Sequence, residues 1–285
     1  MLSIVLGFLG YSVMNISQAL QKIGIQIRPH ALRKGALIWV AGTFGTFLAS
    51  IILFSAVALG RAALVGTTAG TGLASLAVFS HFVMKEKIGP LELAGIAIIA
   101  VSAGFVGVFS ETVPPSVVQL DILFVLLGIV TVMYTLLWLL FLKKKNILGI
   151  VIGSFSGALG GFVLLFQKVA SSEYGQGMSL VPVDSATDTR FLSMVLAMFS
   201  NPFALIWIVL SLVSILILQF SYKKADAIRI IPFFSSSMIV IPVIGGVLSL
   251  SETLHPLQWG AVFFILCGLF LLTVRRKKGV NNPVN

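Results

Sequence analysis

Tyr11, Asn15, Gln18 and Lys22 follow one another at spacings of four, three and four inside an otherwise apolar run, which sets them on one face of a helix. Neutral amides and hydroxyls in apolar surroundings suit one kind of chemistry. They replace the hydrogen bonds that a polar solute or an ion gives up on leaving water. Thr43, Thr46 and Ser50 form a similar stripe in the second apolar run, and Thr67, Thr71 and Ser75 in the third. Farther on, Ser211, Gln219 and Tyr222 share a face, and Ser235, Ser236 and Ser237 lie between Pro232 and Pro242. The candidate substrate-binding residues are therefore Asn15, Gln18, Thr46, Ser50, Thr67, Thr71, Gln219, Tyr222 and Ser236, and metal ligands stay unassigned. Each candidate has a second use. Buried amides also tie helices together, and serine and threonine hydroxyls also bond back to their own backbone. The two prolines either break a helix and free carbonyls for a cation or kink a helix that the serines repair.

Other chemistries find little support. All nine acids fall at or near the ends of apolar runs, so no buried carboxylate is expected to carry protons. His81 and His255 fall at the ends of runs as well. The patterns HExxH, GxxxxGK[ST] and GxSxG are absent, so neither an enzyme nor a cofactor is expected. Gly153, Gly157 and Gly161, four apart, read as a ridge for close helix packing.

The elements that must hold these residues are long apolar helices. Of 285 residues 58% are hydrophobic and only 10% charged, with a mean hydropathy of +1.08, which excludes an ordinary soluble domain. A net charge of +10 raises the question of nucleic acid, but the 19 basic residues sit in short groups between apolar runs. The single cysteine, Cys267, excludes an intrachain disulfide. Nine spans are predicted: 2–23, 35–58, 62–84, 91–109, 121–142, 147–169, 202–222, 228–250 and 257–274. The first is read as a retained helix rather than a signal peptide. With the N-terminus outside and the C-terminus cytoplasmic, 16 of the 19 basic residues fall on the inner side. Arg61, Lys168 and Arg190 fall outside with six of the nine acids, Glu252 among them. A plasma-membrane location follows from this reading. The short run 191–199 is either an interfacial helix or the bent start of the seventh span.

The chain repeats itself. Ile4-Val5-Leu6-Gly7 and Gln21-Lys22 recur as Ile150-Val151-Ile152-Gly153 and Gln167-Lys168, 146 residues later. Ala36-Leu37-Ile38-Trp39 and Arg61 recur 168 later as Ala204-Leu205-Ile206-Trp207 and Arg229, and Glu86 and Pro90 recur 166 later as Glu252 and Pro256. The expected fold is an all-α membrane helix bundle of two inverted four-helix repeats, 1–110 and 147–285, joined by a linker helix in 111–146. The second repeat carries an outer loop at 170–201 and a basic tail. Inverted repeats are a common plan of secondary transporters, whose site lies between the halves. The partners expected are a small solute or ion and the lipid bilayer, with no nucleic acid; a homodimer is left open.

Several short stretches resemble the NIPA-like membrane proteins, described as magnesium transporters within the drug/metabolite transporter (EamA-like) superfamily. They are Gln21-Lys22-Ile23-Gly24, Ala62-Ala63-Leu64-Val65, Lys85-Glu86-Lys87, Asn146-Ile147-Leu148, and Gln219, Tyr222 and Ala225 followed by Pro232. The resemblance implies a bundle of nine or ten helices in two inverted halves, alternating access and divalent-cation transport. Ser50 stands where the magnesium-transporting members are expected to carry a glutamate. A small organic solute is the competing expectation, on which Tyr11, Trp39 and Trp207 would stack if they are not interfacial anchors. A membrane scaffold that transports nothing is the third.

Overall fold

The structure, a computed structural model, describes residues 2–27, 31–83, 89–108, 118–174, 201–222, 224–225 and 227–274. Ten helices run through them: α1 (Leu2–Ile27), α2 (Leu32–Leu59), α3 (Ala62–Thr67), α4 (Ala69–Val83), α5 (Pro90–Val108), α6 (Leu120–Phe141), α7 (Lys145–Tyr174), α8 (Pro202–Tyr222), α9 (Ala227–Ser249) and α10 (Pro256–Val274). Each predicted span coincides with one helix or, in a single case, with two. Five helices, α1, α2, α6, α7 and α8, are long and apolar enough to cross a membrane, and the chain is a multi-pass helical membrane protein. The run 191–199 lies outside the described residues.

Local chemistry sets the helix starts. Asn201 caps α8, its Oδ1 accepting from the Phe203 and Ala204 amides at 2.9 and 3.3 Å, with Pro202 in the first helical position. His255 caps α10 through Nδ1, which accepts from the Leu257 amide at 3.3 Å.

The structure decides between the two readings of the proline-flanked serines and adds a break that the sequence reading did not expect. The serine-rich eighth span is not broken: α9 continues as helix through Pro242. The break falls instead in the third span, at Thr68, between α3 and α4. There the hydroxyls of Thr67, Thr68 and Thr71 donate to the carbonyls of Leu64, Val65 and Thr68 at 2.6–2.7 Å, and the Thr68 amide bonds to Val65 O at 3.1 Å. These three-residue closures tighten the turn and interrupt the regular α-helical ladder.

α7 is the central helix, largely buried, whereas α6 is mostly exposed. The exposed side chains of α6, among them Val125, Ile129, Val132 and Leu136, suit lipid. α1 packs on α2 and α4, and α7 packs in the same way on α8 and α9. Between these groups α3 runs against α9 and α5 against α10. The ridge of Gly153, Gly157 and Gly161 faces α9 as expected, at Ile230, Phe234 and Ile241. At Gly157 an added Cβ would collide with the Phe234 backbone, which cannot swing aside as a side chain can. Gly157→Ala is therefore expected to lower unfolding stability in detergent by about 1–3 kcal/mol. Gly128→Ala, on α6 with nothing within 4 Å of the new methyl, should change it by less than about 1 kcal/mol. Equal melting points for both variants would contradict this packing.

Candidate functional site

Between α1 and α2 on one side and α7, α8 and α9 on the other lies a cavity with an empty volume of about 590 Å³, counted out through its mouth. Gln18, Thr46 and Ser50 line it, together with Ser211, Ser214 and Gln167. Met14, Leu53, Phe234 and Met238 supply apolar wall, and among the described residues no ionisable side chain lines it.

The hydroxyl protons of this lining are already committed. Thr46 donates to Gly42 O at 3.0 Å, Ser50 to Thr46 O at 3.1 Å and Ser211 to Trp207 O at 2.7 Å. Ser214 donates to Ser156 O at 2.9 Å across α7 and α8. A hydroxyl has one proton and two lone pairs, so what these groups have left to give is acceptance. Thr46 spends part of its own on Gln21 Nε2, at 3.1 Å. Gln167 adds an acceptor of another kind. Its side chain is 1% exposed, and Oε1 has no hydrogen-bond partner among the described residues. A buried acceptor without a donor costs about 1–3 kcal/mol. The described lining is thus uncharged and rich in hydroxyl and amide oxygens.

The other sequence candidates lie elsewhere. Asn15 is buried against Gly72 and donates to Tyr11 O at 2.9 Å, a bond within its own helix. Thr67 and Thr71 are buried at the α3–α4 break with their hydroxyls turned to their own backbone. Gln219, Tyr222 and Ser236 are partly buried, and none of the three is among the lining residues. Beside Ser236, Ser237 joins Tyr134 and Ser154 in a hydroxyl triangle with edges of 2.7–3.1 Å. Of the aromatic candidates, Trp39 is exposed, Tyr11 is fully buried, and Trp207 stacks on Phe54 with centroids 6.2 Å apart. Gln167 had escaped the sequence reading because Gly153, Gly157 and Gly161 made its helix look like packing surface. Its one available signal was the recurrence of Gln21-Lys22 as Gln167-Lys168.

A second polar group sits one turn beyond the cavity, at the helix ends opposite Lys143, Lys144 and Lys145. Arg61, Lys168 and Glu252 are all buried there, at 5, 6 and 5% exposure. The Glu252 carboxylate accepts from the Ala62 amide at 2.7 Å and the Ala63 amide at 2.8 Å. Arg61 donates to Thr253 O, and Lys168 Nζ donates to Gly60 O at 2.8 Å and Val57 O at 3.2 Å. Glu252 lies at a span end as expected, yet it is buried, which the expectation of no buried carboxylate missed. Burial pushes its carboxyl up from the ordinary glutamate range, while the two amides and then Lys168 and Arg61 pull it back. Ser251, at φ 52°, makes the left-handed turn that carries the chain out of α9 into this group. The three residues are repeat anchors in the sequence, and the side chains of their counterparts Lys22, Glu86 and Arg229 lie outside those described.

The chain is similar to the "Probable magnesium transporter NIPA9" of Arabidopsis thaliana, 25% identical over 278 residues that cover 90% of this chain and 76% of that protein. No family model matches the chain, and no solved structure does. The similarity extends over nearly the whole chain and agrees with the NIPA-like resemblance of the short stretches.

Proposed function

Taking that similarity as the premise, we propose that the chain is a membrane transporter that moves a divalent cation of the magnesium type through the cavity between α1–α2 and α7–α9. The single observation that carries the reading is the acceptor-rich, uncharged lining. Magnesium keeps its inner waters tenaciously, and those polarised waters are strong donors that neutral oxygens such as Ser50 Oγ, Ser211 Oγ and Gln167 Oε1 can receive. A lining without carboxylates favours a hydrated ion over a bare one. The membrane potential supplies the drive, about 2.3 kcal/mol per charge per 100 mV and hence about 4.6 for a dication.

In this reading 1–110 and 147–285 are two inverted repeats joined by 111–146, and they alternate access to the cavity. The similar helix pairings of α1 with α2 and α4 and of α7 with α8 and α9 support that division. The basic residues near Lys143 to Lys145 mark the cytoplasmic side, which puts the N-terminus and the Glu252 end outside and favours the plasma membrane.

The test is flux into proteoliposomes holding a magnesium-sensitive dye, with potassium and valinomycin setting the potential. An inside-negative potential should speed magnesium entry, and empty vesicles should remain slow. If magnesium stays out while a labelled organic ammonium enters, the second reading gains. That reading draws on the apolar wall of Met14, Leu53, Phe234 and Met238.

A further inference from the structure

Among the described residues, a set of side-chain hydrogen bonds joins 2–108 to 147–274 at one end of the bundle. Glu252 receives the Ala62 and Ala63 amides, Arg61 reaches Thr253 O, Lys168 reaches Val57 O and Gly60 O, and Gln258 Nε2 donates to Val106 O at 3.3 Å. The cavity begins directly beneath. Leu53 of its wall is one turn from Val57, and Gln167 is the residue before Lys168. Phe54 and Trp207 stack across the two groups of helices at the same level.

The geometry points to a gate: the Arg61–Lys168–Glu252 cluster is the latch that closes the cavity at the Glu252 end, and its parting opens the cavity to that side. The inference rests on the alternating-access reading above but not on the identity of the solute. A latch must be costly to leave half-made and easy to satisfy with water, and charged groups bonded to backbone oxygens and amides meet both needs. Dry, each partner holds the other segment in place, since a buried charge left without its partner is heavily penalised. Once the two segments separate, water takes over the same bonds at little cost. The cluster bonds side chains to main chain, so parting it frees the α2–α3 corner as a unit and not only one rotamer. Gln167 and Lys168 also place cavity and latch on adjacent residues of α7, so a solute drawing on Gln167 Oε1 acts on the helix that carries the latch cation.

The experiment labels a single cysteine in the cavity. Cys267→Ser removes the native thiol, Ser50→Cys supplies a near-isosteric one, and a membrane-impermeant maleimide is added to sealed vesicles of either orientation. With the latch intact, labelling from the Glu252 end should be slow. Lys168→Met or Glu252→Gln should raise that rate at least tenfold and lower labelling from the lysine end. Arg61→Lys is a milder variant that keeps the charge and disturbs only the reach to Thr253 O, and an increase of a few-fold is expected from it if the stronger variants do not fold. Rates that stay equal across folded variants, or fast labelling from the Glu252 end with the latch intact, overturn the gate. Flux measured on the same vesicles separates the two readings. Normal magnesium entry with unchanged labelling removes the gate and leaves the transporter, whereas the expected labelling without magnesium entry keeps the gate and removes the cation.

Discussion

Glu252→Ala is expected to cost about 2–6 kcal/mol of unfolding stability in detergent, about 1–3 for each of the two buried amides that it leaves without an acceptor. The truncation strands two amides, Ala62 and Ala63, and leaves Arg61 and Lys168 buried without their anion. The cost arises from what remains, not from a large net gain by the intact cluster. Desolvation of Glu252 outweighs the attraction of its partners, which is why burial lifts its carboxyl above the ordinary range. Replacing two members together, as Glu252→Leu with Lys168→Met, is therefore expected to recover at least half of the loss. Heat or denaturant unfolding of the three proteins measures this. A loss under about 1 kcal/mol for Glu252→Ala would mean that water already reaches the cluster. The sign of the pH dependence follows from the same shift. A carboxyl with a folded pKa above its unfolded value of about 4.3 favours folding at low pH and loses that contribution as pH rises toward the folded value. Stability should fall over that interval, and Glu252→Gln should flatten the curve.

Gln167→Leu is expected to reduce flux at low solute concentration by about 10- to 100-fold. A hydrogen bond to a charged or strongly polarised donor contributes about 1.5–3 kcal/mol, and each 1.4 kcal/mol is tenfold. The fold should tolerate the change, because Oε1 has no partner among the described residues and leucine fills a similar volume. Gln21→Leu is the comparison. Its Nε2 donates to Thr46 at 3.1 Å within the α1–α2 pair, so its loss should show in stability, by about 1 kcal/mol, more than in flux. A Gln167→Leu protein that transports at the normal rate would place the solute elsewhere.

The helices themselves, the separate polar stripes of α1 and α2 that carry Gln18 and then Thr46 and Ser50, and the glycine ridge of α7 were all legible in the chain. Apolar length and residue spacing are local quantities, and a run such as 120–141 has no other way to satisfy its backbone in lipid. Which polar residue on a helix meets the cavity was not legible. Asn15 and Gln18 sit three apart on one face, yet one is packed on α4 and the other lines the cavity, because the rotation of α1 is set by Gly72 and its neighbours. The break at Thr68 was hidden for a related reason. Threonines occur in unbroken helices too, and the choice among backbone acceptors depends on what packs beside them. Glu252 is the clearest case. In sequence it is a loop acid, and its partners at Ala62 and Ala63 lie 190 and 189 residues away. Only the antiparallel packing of α3 on α9 brings that carboxylate to those amides, and burial then turns a surface charge into a structural one.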